Sequence, residues 1–328
     1  MSTTTQPVPA TPCDATVQVM PDWSRYAGQP VADNGRHSIA ALEPIADDAD
    51  EVTLDYFRHE GAYWRAVVPV AGVREVRGQT YNFSAPKTRR GKDGPVTRYR
   101  KSGLPRRKIP ILNHVQCRFV FAGDQPVRLY PNGGDASGEP AHELHDIIYS
   151  VEATGPEGVL FNLRDGVFGN LICAHRFVST QEMVFERVAV ENQYVIESAP
   201  LRLRPGEERG LLVKSLQRSD AARMHEPYLM LRFSRTNNCT SNPLQILDEV
   251  VAYNWRQWFG SLLYRLPLNP RLYLRIRGLD SDPSYRSFLR DEFAGYLHSP
   301  ATRQRRRDHV KRAIAARREA QGRPRQHA

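Results

Sequence analysis

Asn237-Asn238-Cys239-Thr240-Ser241-Asn242-Pro243-Leu244-Gln245-Ile246-Leu247 is the stretch on which the reading of this chain turns. Ser234-Arg235-Thr236 ahead of it is irregular, while Leu244, Ile246, Leu247, Val250 and Val251 behind it follow a helical spacing toward Trp258. The spacing places Cys239 at a helix N-terminus. Pro243 fits a first turn, where its missing N–H is not needed. Unpaired N–H groups and the helix dipole stabilise a thiolate there, and such surroundings can bring a thiol from about 8.5 to roughly 3.5–7.5. An arbitrary cysteine is more often an inert buried side chain.

A nucleophilic thiol needs a base, and Asn113-His114-Val115-Gln116-Cys117-Arg118-Phe119-Val120-Phe121 offers one on a strand. Alternation sends Val115, Cys117, Phe119 and Phe121 to one face and His114, Gln116 and Arg118 to the other. A second strand, Ile147-Ile148-Tyr149-Ser150-Val151-Glu152, carries Ser150 and Glu152 together on one face. Either can orient an imidazole, as the third member of a triad does. A solvent-facing strand edge is the plainer reading of the same pattern.

These residues resemble the Lnb N-terminal periplasmic domain family of bacteria, named for lipoprotein N-acyltransferases. The resemblance rests on Val76-Arg77…Asn82-Phe83, the strand around His114, Ser150-Val151-Glu152, Asn237-Asn238-Cys239-Thr240 and the closing Asn269-Pro270-Arg271-Leu272-Tyr273…Gly278-Leu279, so it spans roughly residues 74 to 279. The order of His before Cys is similar to that of permuted NlpC-type thiol hydrolases. The resemblance implies an α+β, papain-like fold in which an antiparallel sheet packs against the helix that carries the cysteine. It also implies Cys239 as nucleophile, His114 as base and Glu152 as the polar partner ahead of Ser150. Helix-terminal N–H groups, with Asn238 and Thr240, are the candidates for holding substrate or oxyanion. The polar stretch from Leu129 to His145 stands as an insertion relative to the family.

The remaining sequence sets the frame. The 328 residues are 40% hydrophobic and 25% charged, enough for a substantial core. Residues 1–50 read as a flexible lead-in, 51–280 as the thiol domain and 281–328 as a helical, Arg-rich extension. Strands are expected within 63–83 and at 109–121, 147–153, 170–177, 184–190 and 195–196, and helices at 211–231, 239–258 and 302–321. The succession of strands points to a mostly antiparallel sheet.

The net charge of +10 is concentrated in Lys87–Lys108 and Arg303–Arg325, each with ten basic residues. Tyr99 is the one aromatic residue in the two segments, so base stacking is disfavoured, while salt-sensitive attraction to nucleic acid or another polyanion stays open beside a solvated role. Cys13, Cys117, Cys173 and Cys239 lack C-x-x-C spacing and are expected as free thiols. Cys173-Ala174-His175 shares a strand face but has no helix end beside it, so it ranks behind Cys239 and His114. His142-Glu143-Leu144-His145-Asp146 lacks the i, i+4 pairing of a helical zinc motif and reads as a solvated loop. No metal and no cofactor are expected.

Without a basic leader or a long apolar run the chain reads as soluble and cytoplasmic. The expected function is a cysteine-dependent hydrolase or acyltransferase that forms a thioester with an amide or ester substrate, whether lipid, lipoprotein or peptide. The alternative is a catalytically inactive binding protein of the same fold that uses its basic segments.

Overall fold

The computed structural model describes residues 18–91, 94–101, 104–109, 112–159, 161–230, 236–252, 254–255, 258 and 270–322. Cys13, Ser234, Arg235, residues 259–269 and the end of the Arg-rich tail lie outside them.

The chain is a mixed α+β structure built on one large, mostly antiparallel sheet. Its strands are β1 (Ala40–Ala41), β2 (Glu51–His59), β3 (Ala62–Pro69), β4 (Val73–Asn82), β7 (Asn113–Phe121), β8 (Val127–Pro131), β9 (His142–Leu144), β10 (Asp146–Thr154), β11 (Ile172–Ser179), β12 (Ile196–Pro200) and β13 (Ser287–Phe288). Their order is β13-β12-β4-β7-β10-β11-β2-β3-β8-β9, with β1 paired to β2. The contact of β11 with β2 is the parallel one. A separate hairpin, β5 (Thr88–Gly91) and β6 (Gly94–Thr97), lies inside the basic segment.

On one face the sheet is covered by α3 (Glu207–Ala222) and α4 (Ser241–Val250). Phe119, Phe121, Leu211, Leu212, Leu216, Leu244 and Leu247 form the shared core, because alternation in β7 delivers Phe119 and Phe121 to that side. The other face is also buried. There a second layer starts with α2 (Thr180–Val184), which runs into a π-helical turn at Phe185–Val190. Tyr81, Val184, Val188, Val195 and Leu289 make a smaller core beneath this layer. Gln116, Arg118, Ser150 and Glu152 are therefore enclosed and do not line an open edge.

Several expected elements shift. Val184–Val190 was expected as a strand from its β-branched content, yet it is helical. Ser179 caps the start by accepting the Glu182 N–H at 3.1 Å, and local capping overrides propensity. The wide turn lets the consecutive side chains Glu186 and Arg187 both reach the sheet. The helix expected over 211–231 ends at Ala222, since residues 226–228 bond to β11 through Cys173 N–H to Glu226 O and Tyr228 N–H to Leu171 O. The helix expected over 239–258 is Ser241–Val250.

The segment read as a lead-in is packed from residue 18 onward, with Met20 and Ile39 buried. The stretch read as an insertion supplies β8 and β9, which extend the sheet to its edge. β2 went unexpected because a register shift between Leu54 and Phe57, with Tyr56 at φ 66°, breaks its alternation. Near the C-terminus α5 (Pro270–Ile276), α6 (Leu289–Glu292) and α7 (Ala294–His298) precede α8 (Pro300–Gly322). No described helix is long and apolar enough to cross a membrane.

Candidate active site

Cys239 lies just ahead of α4, whose N-cap residue is Thr240. Two asparagines hold it there. Asn238 Oδ1 accepts the N–H groups of Thr240 and Ser241, both at 2.9 Å, while its Nδ2 donates to the carbonyls of Leu229 and Met230 at 3.2 Å. Asn237 Nδ2 donates to Glu226 at 2.8 Å and to Pro227 O at 3.1 Å, and its Oδ1 accepts from Asn242 at 2.8 Å. Both amides are thus spent on shaping the loop. Asn238, expected to face substrate or oxyanion, instead caps the helix, and the Thr240 N–H is consumed by it.

The sulfur of Cys239 lies against the backbone on both sides of His114. Asn113 O is 4.0 Å away, and the Val115 N–H favours the thiolate from the other side. This contact is open because the β7–β10 ladder stops at the pair Ser150–Gln116. Tyr228 Oη donates to Sγ at 3.5 Å and also faces the Cys239 N–H, and Thr240 Oγ1 lies at 4.0 Å. Tyr228 was missed in the sequence, because only the turn after α3 and its pairing to β11 bring it under α4. Burial pushes the Cys239 thiol up, and the hydroxyl and N–H donors oppose this without reversing it. The expected low resting value is not met.

His114 lies on the face away from α4, its ring stacked on Tyr81 at 4.7 Å. Its Nε2 is 2.9 Å from Ser150 Oγ, and Ser150 Oγ donates to Glu152 Oε1 at 3.2 Å. With the serine proton committed to Glu152, Ser150 accepts from Nε2–H, which leaves the lone pair on Nδ1. Among the described residues Nδ1 makes no hydrogen bond, and none joins His114 with Cys239. Burial pushes the imidazole down to about 3, so it is neutral at physiological pH.

Glu152 anchors this relay. Its carboxylate meets Arg36 at 3.0 Å, Arg176 at 3.4 Å and Arg187, while Glu186 and Glu191 balance the last two. The charges hold it well below the usual carboxylate range despite burial. The structure therefore brings together His114, Ser150 and Glu152 as one chain, and sets Cys239 beside the backbone of the residues on either side of that histidine, Asn113 and Val115. The three arginines could not be assigned from sequence, since they come from distant segments.

The second Cys–His pair is hydrogen bonded, with Cys173 Sγ 3.6 Å from His175 Nε2 and Tyr149 Oη 2.7 Å from His175 Nδ1. It is a core feature. Cys173 and His175 are fully buried, and burial pushes the thiol well up and the imidazole down to about 3.

One turn along α4 from Cys239, an apolar cavity of about 80 Å³ opens among Val115, Cys117, Phe119, Leu211, Leu244 and Leu247. No family model, curated protein or solved structure matches the chain.

Proposed function

We infer that the chain is a cysteine-dependent hydrolase or acyltransferase with a papain-like, permuted arrangement, as its resemblance to the Lnb N-terminal domain family implies. The observation that carries this reading is the oriented relay Glu152–Ser150–His114, which leaves the lone pair of Nδ1 unengaged while Cys239 lies against the backbone of the two residues that flank the histidine, Asn113 and Val115. Nδ1 takes the thiol proton as Cys239 attacks an acyl carbon. The S–C bond forms, the leaving alcohol or amine departs with that proton, and water or a second amine then resolves the thioester. The buried ion cluster keeps Glu152 anionic, which fixes the tautomer and stabilises the imidazolium formed during attack.

In this reading the oxyanion lies between the Tyr228 hydroxyl and the Cys239 N–H, replacing the role first given to Asn238 and Thr240. Burial pushes the Tyr228 phenol well up, so it stays a donor. The apolar cavity beside α4 suits an aliphatic part of the substrate. Turnover of an activated aryl ester tests the assignment: Tyr228→Phe should lower kcat by about 10²–10³ while leaving KM within a few-fold. Unchanged kcat would remove Tyr228 from the site.

A catalytically inactive binding protein of the same fold is the second reading. It draws on one observation, that no hydrogen bond joins Cys239 with His114 among the described residues. Its partner would be a polyanion held by the basic segments, and its affinity would fall steeply with salt.

A further inference from the structure

We propose that His59, Glu60 and His142 form a binding site for a divalent transition-metal ion of the Zn²⁺ class, separate from the cysteine. His59 ends β2, Glu60 opens the turn to β3 and His142 begins β9, so the group is assembled by sheet topology across more than eighty residues of sequence. One ligand atom from each lies within 4.8 Å of the others. A tetrahedral ion bound at about 2.0–2.2 Å wants its donors roughly 3.3–3.5 Å apart. The exposed Glu60 and half-buried His142 can close that difference by side-chain rotation.

The surroundings are those of an oriented ligand set. His59 is buried, and its Nδ1 lies 2.8 Å from Ser179 Oγ, which leaves Nε2 to ligate. Such a partner fixes tautomer and ring direction in metal-bound histidines. The His142 ring sits edge-on between the His59 ring at 4.7 Å and Trp64 at 4.9 Å, and Trp64 is itself held by donating to His59 O at 3.1 Å. The loop that seemed a solvated stretch in the sequence is thus an edge strand whose histidine is wedged in place.

Charge permits a cation. Arg305 and Arg58 approach from α8 and β2, but both face Glu182, which also accepts the Gly61 N–H at 3.0 Å. Glu60 remains as negative charge at the site. Two imidazoles and one carboxylate select a borderline ion over calcium or magnesium, which prefer oxygen ligands. Three protein donors leave one position to water. The ion would clip the edge strand β9 to the β2–β3 turn, next to the point where α8 docks.

The test is calorimetric titration of the full chain, free of any histidine tag, with Zn²⁺ at pH 7, followed by Co²⁺ absorption. One equivalent should bind. Ser179→Ala should weaken affinity about 10–100-fold. His142→Ala should weaken it at least as much, and Glu143→Gln and Cys239→Ala should leave it unchanged. Glu60→Gln, on an exposed side chain, carries the test if His142→Ala is misfolded by circular dichroism. Absence of stoichiometric binding, undiminished binding in folded His142→Ala or Glu60→Gln, or a sulfur-to-cobalt charge-transfer band would overturn the site.

Discussion

Replacing Glu152 by Gln preserves shape and removes one charge from the sheet face that the second layer covers. The side chain is 3% exposed and its carboxylate faces Arg36, Arg176 and Arg187. Breaking a buried ion pair from one side costs about 3–5 kcal/mol, because the surviving charge is left without compensation. Here Arg176 keeps Glu186 at 2.8 Å and Arg187 keeps Glu191 at 2.6 Å, so the expected loss is at the lower end, about 3 kcal/mol. With a urea dependence of about 3 kcal/mol per molar, the midpoint should fall by roughly 1 M.

Urea unfolding followed by circular dichroism at pH 7 measures it. Arg187→Met in the Glu152→Gln background should recover part of the loss, with an interaction energy of about 1–3 kcal/mol. The sign with pH is fixed by the depressed carboxyl: its contribution is present above the unfolded value of about 4.3 and is lost as pH falls below it. The gap between wild type and variant should therefore narrow in acid. A loss under about 1 kcal/mol at pH 7, or a gap that widens on acidification, would refute the view that this cluster is a paired structural anchor.

Other expectations follow from the same geometry. His114 and His175, both held down to about 3, must stay neutral in the fold, so stability should fall as pH drops below about 6.5, by up to roughly 1.4 kcal/mol per pH unit for each; His175→Gln should flatten that slope in denaturation at pH 7 and pH 5. Arg305 docks α8 on the buried Glu182 and the Phe185 ring, so Arg305→Ala should cost about 1–3 kcal/mol by thermal melting. Alkylation of Cys239 should accelerate with pH well above neutrality because burial pushes the thiol up, and Cys173 should stay slower still; equal rates for the two in peptide mapping would contradict the burial argument.

Much of the sheet was legible because alternation is a local signal. β7, β10 and β11 fall within a few residues of their expected positions, and Val115 and Phe119 separate from Gln116 and Arg118 as their pleat requires. The entry to α3 at Gly206-Glu207-Glu208 and the helix after Cys239 were legible for the same reason. What could not be read depends on chain segments meeting at long range. Arg36, Arg176 and Arg187 converge on Glu152 from a loop, β11 and the π-helical turn, Tyr228 reaches Cys239 through a turn, and His142 meets His59 across the sheet. Ser150 was ambiguous in sequence, since an enclosed face and an exposed one share one alternation. The structure makes it the link between His114 and Glu152.

The thioester itself is the most direct measurement. An activated acyl ester incubated with the full chain should add one acyl mass, mapped to Cys239 and released by hydroxylamine, with His114→Ala and Ser150→Ala slowing its formation in that order. Acylation that persists in Cys239→Ala, or an unmodified Cys239 after prolonged exposure to a small ester, would contradict the thiol mechanism.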